Sequence, residues 1–202
     1  MAEIKSIELV TKAEKSLEPY KKYLEKFARK EDFGIITNEG KDHASILMAT
    51  LLANTDTSIK MYCTGLEPDL LENYNGAYWK EFQDFFNNNA KKTVNVEILI
   101  QDDTWFKNKT APFVTLKNAK TAGFNISVRQ INVSDIQEIN TSLGFKDYDN
   151  VNFSIFDDKA YRIEYDTRNF KAYSDFDDEK RCVELSGIFD EAFEKAKGSK
   201  LI

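Results

Sequence analysis

Histidine is almost missing from this sequence. There is one, His43, and beside it only two cysteines, Cys63 and Cys182. A structural zinc site of the usual nitrogen and sulfur kind needs four such ligands at close spacing, and no C-x-x-C or H-x-x-x-H pair occurs, so metal binding of that kind is excluded. The two thiols are expected to be reduced and in the core, since two scattered cysteines do not make a disulfide framework. Three prolines and eight glycines leave no linker or low-complexity tract. No apolar run is long enough to cross a bilayer, and the start, M-A-E-I-K-S-I-E, lacks the basic and apolar regions of a secretory signal. The expected location is cytoplasmic, with no membrane partner. Without that signal, triplets of the N-x-S/T form, as at Asn108 and Asn152, carry no glycosylation meaning. Positive charge is also short: 28 Lys and Arg against 34 Asp and Glu give a net charge of -6. The whole-molecule field repels polyanions, so nucleic acid is unsupported by net charge.

What is present belongs to a soluble globular domain: hydrophobic residues are 42% and charged residues 31% of 202, with Phe and Tyr abundant. The spacing of Leu17, Tyr20, Leu24 and Phe27 predicts a helix from Leu17 to Lys30, with Ser16 as its cap and Pro19 in its first turn. Residues 1–30 are read as an N-terminal helical appendage or lid, and residues 31–202 as the main domain. There, F-G-I-I-T from Phe33 predicts a buried strand, and Ile46, Leu47, Met48, Leu51 and Leu52 the core face of a helix. T-S-I-K-M-Y-C-T alternates as a strand, Gly65 and Pro68 mark a loop, and A-Y-W-K-E-F-Q-D-F-F predicts a second core helix. V-N-V-E-I-L-I-Q-D-D is the strongest strand, since Val94, Val96, Ile98 and Ile100 alternate and Leu99 thickens the run. A helix from about Thr110 to Ala122, a strand F-N-I-S-V-R-Q-I, and a short helix or loop from Ser134 to Leu143 follow. The chain ends in a hairpin, a strand N-F-K-A-Y-S and a helix from about Asp177 to Lys197. Alternating strands and helices followed by a late hairpin predict an α/β fold, an αβα sandwich around a mixed sheet.

Candidate chemistry is sparse. His43, in G-K-D-H-A-S, lacks the frame of a phosphate loop, and Asp42 there reads as a helix cap. Asp102 and Asp103 lie at the carboxyl end of the strongest strand, where open α/β sheets place ligand contacts. With Asp157 they are the oxygen ligands on which a metal-dependent phosphodiesterase or nuclease would have to rely. Lys91, Lys92 and Lys107, near Trp105 and Phe106, form the candidate basic patch of a nucleic-acid-binding accessory protein.

The hairpin N-V-N-F-S-I-F-D-D-K-A-Y-R-I-E-Y carries Asn150, Asn152 and Asp157 at i, i+2 and i+7. On a strand the two asparagines share one face, while the aspartate sits at the far end in the turn. That spacing is the frame H-x-K-x-x-x-x-D, and with the order of elements before it the chain resembles the phospholipase D-like (HKD) superfamily. The resemblance runs from about Phe33 to Lys197 and rests on layout more than on identical residues. It implies a phospholipase D-like fold in which a histidine at position 150 would attack phosphorus and a lysine at 152 would balance phosphate charge. Here both positions hold amides, which neither form a phosphoenzyme intermediate nor supply a cation, and Glu164, Tyr165, Asp166 and Thr167 replace the expected G-S-x-N. The resemblance thus implies the fold of an enzyme without its activity: no catalytic residues, no cofactor and no metal. What remains is a non-catalytic, pseudoenzyme-like domain acting by binding or self-association, with Asn150, Asn152 and Asp157 as candidate ligand contacts. A homodimer is implied because single-copy members of the resembled family pair their motif faces.

Overall fold

In the computed structural model the described residues are 17–66, 73–148 and 150–202. The first helix, α1, covers 17–28. The expected Ser16 cap, Pro68 and whatever precedes Ser16 lie outside the described residues. Then come β1 (Ile36–Asn38), α2 (Lys41–Ala53), β2 (Ser58–Cys63), α3 (Asn73–Asn87), β3 (Asn95–Ile100), a short α4 (Thr104–Lys107), α5 (Ala111–Thr121), β4 (Asn125–Gln130) and α6 (Val133–Ser142). The chain closes with β5 (Asn152–Phe156), β6 (Ala160–Asp166), β7 (Lys171–Asp175) and α7 (Glu179–Lys195).

The strands form one mixed sheet in the order β1-β7-β6-β5-β2-β3-β4. β2, β3 and β4 run parallel, and β5 joins β2 antiparallel, opening a meander through β6 and β7 to β1. Helices cover both faces. On one, α2, α3 and α5 pack Leu47, Leu51, Phe82, Phe86 and Leu116 on Val96, Ile98 and Ile126. On the other, α6 and α7 pack Ile139, Leu185 and Phe189 on Tyr62, Leu99, Phe153 and Ile163. In the central strands β2, β3 and β5, alternate residues therefore enter different cores, as a period of two dictates for a sheet covered on both sides. Leu24 and Phe27 of α1 join the first core. The αβα layout expected from the sequence is the layout of the chain.

The first strand differs from the expectation. F-G-I-I-T reads as buried, but Phe33 and Ile35 are 67% and 65% exposed and only Ile36 and Asn38 are covered. Gly34, with φ of 116°, turns the chain, and β1 then pairs on one side only, with β7. Cys63 and Cys182 stand in different cores and are not bonded to each other. Among the described residues no helix is long and apolar enough to cross a membrane.

Candidate functional site

The hairpin fixes the site because register decides which side chains meet. β5 pairs β6 with Asn152 opposite Glu164. The Asn152 amide joins β5 to both of its neighbours: its Oδ1 accepts from the Thr64 N–H at 2.8 Å and from the Thr64 hydroxyl at 3.2 Å, while its Nδ2 donates to Glu164 Oε2 at 2.8 Å. A backbone donor on one side and a carboxylate on the other determine which end of the amide is oxygen. The second Glu164 oxygen accepts from Arg162 Nη2 at 2.7 Å, and the Glu164 and Arg162 side chains are 4% and 6% exposed. Asn152 is thus tied to a buried ion pair, with its oxygen and one amide hydrogen committed.

Asn150 is exposed just before β5, at the mouth of a groove made of two adjoining depressions. The inner one, about 250 Å³, is lined by Thr64, Gly65, Asn152, Glu164 and Phe170. The outer one, about 450 Å³, is lined by Tyr148, Tyr165, Asp166 and Lys171, and both share Asn150, Thr167 and Arg168. The Lys171 ammonium lies 3.4 Å from Glu39, and Lys41 sits over the Phe170 ring at 5.5 Å. Asp147 and Asp166 balance Arg168 and Lys171, so the groove carries charge of both signs.

Asp157 does not reach this groove. It ends the other side of β5, with φ of 54°, and so does Asp158. Both central residues of the turn are left-handed, as a type I′ hairpin turn requires, and the Lys159 N–H closes it on the Phe156 carbonyl. From there the Asp157 carboxylate accepts N–H donors from Asp56 at 2.9 Å, Thr57 at 2.7 Å and Ser58 at 3.1 Å, and the Thr57 hydroxyl at 2.9 Å. It ties the α2–β2 connection to the hairpin. Burial pushes its pKa up, but the backbone donors of Thr57, Asp56 and Ser58 together outweigh that and hold it below the ordinary aspartate value. The three positions of the H-x-K-x-x-x-x-D frame therefore divide: Asn150 and Asn152 line one groove, and Asp157 serves the opposite end of the strands.

The other sequence candidates are engaged locally. Asp102 accepts the Thr104 N–H and hydroxyl, each at 2.9 Å, and starts α4, while Asp103 pairs with Lys107 at 2.8 Å. Asp157 stands at the far end of the sheet from both, so the three aspartates share no ligand position. Lys91 is held by Asp56 at 2.7 Å and by the Thr55 carbonyl, and Lys92 lies over Phe124 at 5.9 Å. Lys91, Lys92 and Lys107 thus have separate partners, and two of the three charges are already neutralised. His43, half-buried at the start of α2, has Nδ1 3.1 Å from the Glu39 carbonyl and its ring edge-on to Tyr20 at 4.5 Å. Among the described residues no group of three or more His, Cys, Asp or Glu is placed to hold a metal ion.

Sequence reasoning misses Thr64, Arg162, Glu164 and Arg168 as site residues. One signal is available: in A-Y-R-I-E-Y, Arg162 and Glu164 fall at i and i+2 inside an apolar strand, hence on one buried face, which charge tolerates only when paired.

No family model matches this chain, and no curated protein matches it in sequence. Solved structures do resemble it. One is TrmBL2, an archaeal chromatin protein with a novel mode of DNA binding: TM-score 0.52, 13% identity, covering 96% of this chain and 67% of that one. Another is Nuc from Salmonella typhimurium, a phospholipase D family member: TM-score 0.49, 14% identity, covering 81% of this chain and 97% of that one. The mixed-sheet α/β fold inferred from the hairpin and the order of elements is the fold observed, and a phospholipase D family member stands among its structural neighbours.

Proposed function

We propose that this chain is a non-catalytic phospholipase D-like domain that works by binding, with its ligand seated in the groove between Asn150, Asn152, Glu164 and Arg168, and that it does so as a homodimer. One observation carries the reading. At the position where a lysine would face phosphate, Asn152 is bound on both sides, by Thr64 and by Glu164. The amide supplies no cation to a phosphodiester, the Glu164 carboxylate it bonds is already paired with Arg162, and Asn150 beside it neither attacks phosphorus nor carries a proton near neutral pH. The groove itself remains open, with polar, aromatic and cationic side chains around it. A binding role accords with the archaeal neighbour, a chromatin protein that binds DNA. The mixed charge of the groove favours a ligand with both hydrogen-bond donors and acceptors over a bare polyanion.

Purified protein is expected to show no turnover of bis(p-nitrophenyl) phosphate, DNA or RNA above the blank, with or without divalent ions. Turnover abolished by Asn150→Ala or His43→Ala would overturn the non-catalytic reading. Light scattering on a sizing column is expected to give twice the 23.3 kDa of one chain. A mass of 23.3 kDa across a wide range of loading concentration removes the homodimer.

A further inference from the structure

Two segments that line the groove are each pinned from behind, so the side chains they present are held in place. One is the β6–β7 turn. Its Asn169 carbonyl accepts the Gly40 N–H at 2.9 Å, its Phe170 carbonyl accepts from Asn38 Nδ2 at 2.7 Å, and Asp166 at its foot accepts from Asn169 Nδ2 at 2.8 Å. Phe170 has φ of 53°, a left-handed backbone that a bulky side chain adopts rarely, and the bonds from Asn38 and Gly40 hold the turn in that shape. The other segment runs from Phe145 to Tyr148. The buried Asn140 side chain donates to the Tyr148 carbonyl at 2.9 Å, and the Phe145 ring lies edge-on to Tyr148 at 5.4 Å and parallel to Tyr165 at 6.2 Å.

The cations around the groove are not equally available. Arg162 is taken up by Glu164, and Lys171 lies against Glu39. The Arg168 side chain is exposed, lines both depressions, and has no ion-pair or hydrogen-bond partner among the described residues. A guanidinium is a flat fork that matches a carboxylate through two parallel N–H donors. One uncommitted positive charge, with Asp147 and Asp166 in the same lining, suits a single negative charge and disfavours a double one. Tyr148, 43% exposed, and Tyr165 put ring faces in the outer depression, and such faces take a flat partner.

We propose that the groove takes a small molecule in which a planar ring carries one carboxylate, the carboxylate on Arg168 and the ring against Tyr148 and Tyr165. This rests on the reading of the groove as a binding site and gives that site its ligand class. The anion sits on the β6–β7 turn and not at position 152, whose amide is committed to Thr64 and Glu164. Because both segments are fixed before any ligand arrives, little ordering of the protein opposes binding.

Titration of the isotope-labelled full chain, followed by NMR, tests this with four probes. Phenylacetate carries the ring and the carboxylate, phenylacetamide the ring without charge, acetate the charge without a ring, and phenyl phosphate the ring with nearly two negative charges near neutral pH. Phenylacetate is expected to shift the amides of Tyr148, Asn150 and Arg168 and to bind about tenfold more tightly than each of the others. Arg168→Gln is expected to erase its advantage over phenylacetamide, and Tyr148→Ala to weaken both ring probes by about threefold, with the amides of the core strands unmoved in each variant. If phenylacetamide binds as tightly as phenylacetate at the same amides, the carboxylate is wrong and the groove remains a binding site. Tighter binding of phenyl phosphate overturns the single charge, and a spectrum that phenylacetate leaves unmoved overturns the ligand class. Shifts that avoid the groove amides for every probe overturn this inference and the groove reading together.

Discussion

Glu164→Ala is expected to lower the unfolding free energy by about 3–5 kcal/mol, the largest single loss foreseen for any polar residue of the site. The reason is what the substitution leaves behind. Arg162 is 5% exposed, its Nη2 gives a 2.7 Å bond to Glu164, and its Nε already has no partner among the described residues. Without Glu164 the guanidinium is a buried charge with no counterion, and the Asn152 Nδ2 loses its acceptor as well. Urea unfolding followed by circular dichroism measures the change. The double variant Arg162→Met with Glu164→Leu discriminates between explanations. Replacing the pair by apolar groups removes the stranded charge, so the double variant should lose much less than the sum of the two single variants. A loss below about 1 kcal/mol for Glu164→Ala would mean that water reaches Arg162 and that the pair is not the rigid back wall of the groove. Asn152→Lys completes the set: it puts an ammonium against a carboxylate that Arg162 already holds at 2.7 Å, so two cations share one anion and one positive charge is left over at the groove.

Strands and helices that bury one residue type at a regular period are legible in the sequence alone. β3, with Val96, Ile98 and Ile100 on one face and Leu99 on the other, sits inside the sheet with partners on both sides, as its doubled apolar pattern implies. β1 is misread because an apolar run does not say whether a strand will be central or at an edge; that depends on β7, which lies far downstream in the chain. The same limit applies to the site. Asn150 and Asn152 are recognisable as neighbours because a two-residue spacing is local. That Asn152 faces Glu164 and Thr64 depends on the register of β5 against β6 and on where β2 ends, which no short spacing encodes. The lysines mislead for a related reason. Lys91 meets Asp56 across 35 residues of sequence, so its charge looks available in the sequence and is not available in the fold. The i+7 spacing of the motif groups Asp157 with the asparagines, although the length of extended chain between them puts it about 16 Å from Asn152.

Asp157→Asn is expected to cost about 2–3 kcal/mol at neutral pH, and the cost should disappear in acid. Asparagine is the informative replacement because the position is left-handed, with φ of 54°, a conformation that Asn accepts and alanine resists. The amide keeps one acceptor oxygen for Thr57 but turns an NH₂ toward the N–H of Asp56, which now donates to Oδ2 at 2.9 Å, and it removes the Lys159 partner at 3.3 Å. The sign of the pH effect follows from the direction of the shift. Despite partial burial, the donors of Thr57, Asp56 and Ser58 hold the folded pKa below the ordinary 3.8, so the unfolded chain takes up a proton first as pH falls. The stabilisation from Asp157 is therefore fully present above the unfolded value and is lost as pH drops through the folded one. Wild type minus Asp157→Asn should be constant from about pH 5 upward and shrink toward zero below it. A difference that stays flat down to the acid transition would show that the carboxylate charge does not hold the α2–β2 connection, and that its shape alone does. At neutral pH the groove end is the internal control. Asp157 and Asn152 occupy opposite ends of β5, roughly 16 Å apart by strand geometry, so Asp157→Asn and Glu164→Ala should add within about 0.5 kcal/mol. Strong coupling between them would join the two ends of the sheet energetically and return Asp157 to the site from which its position now separates it.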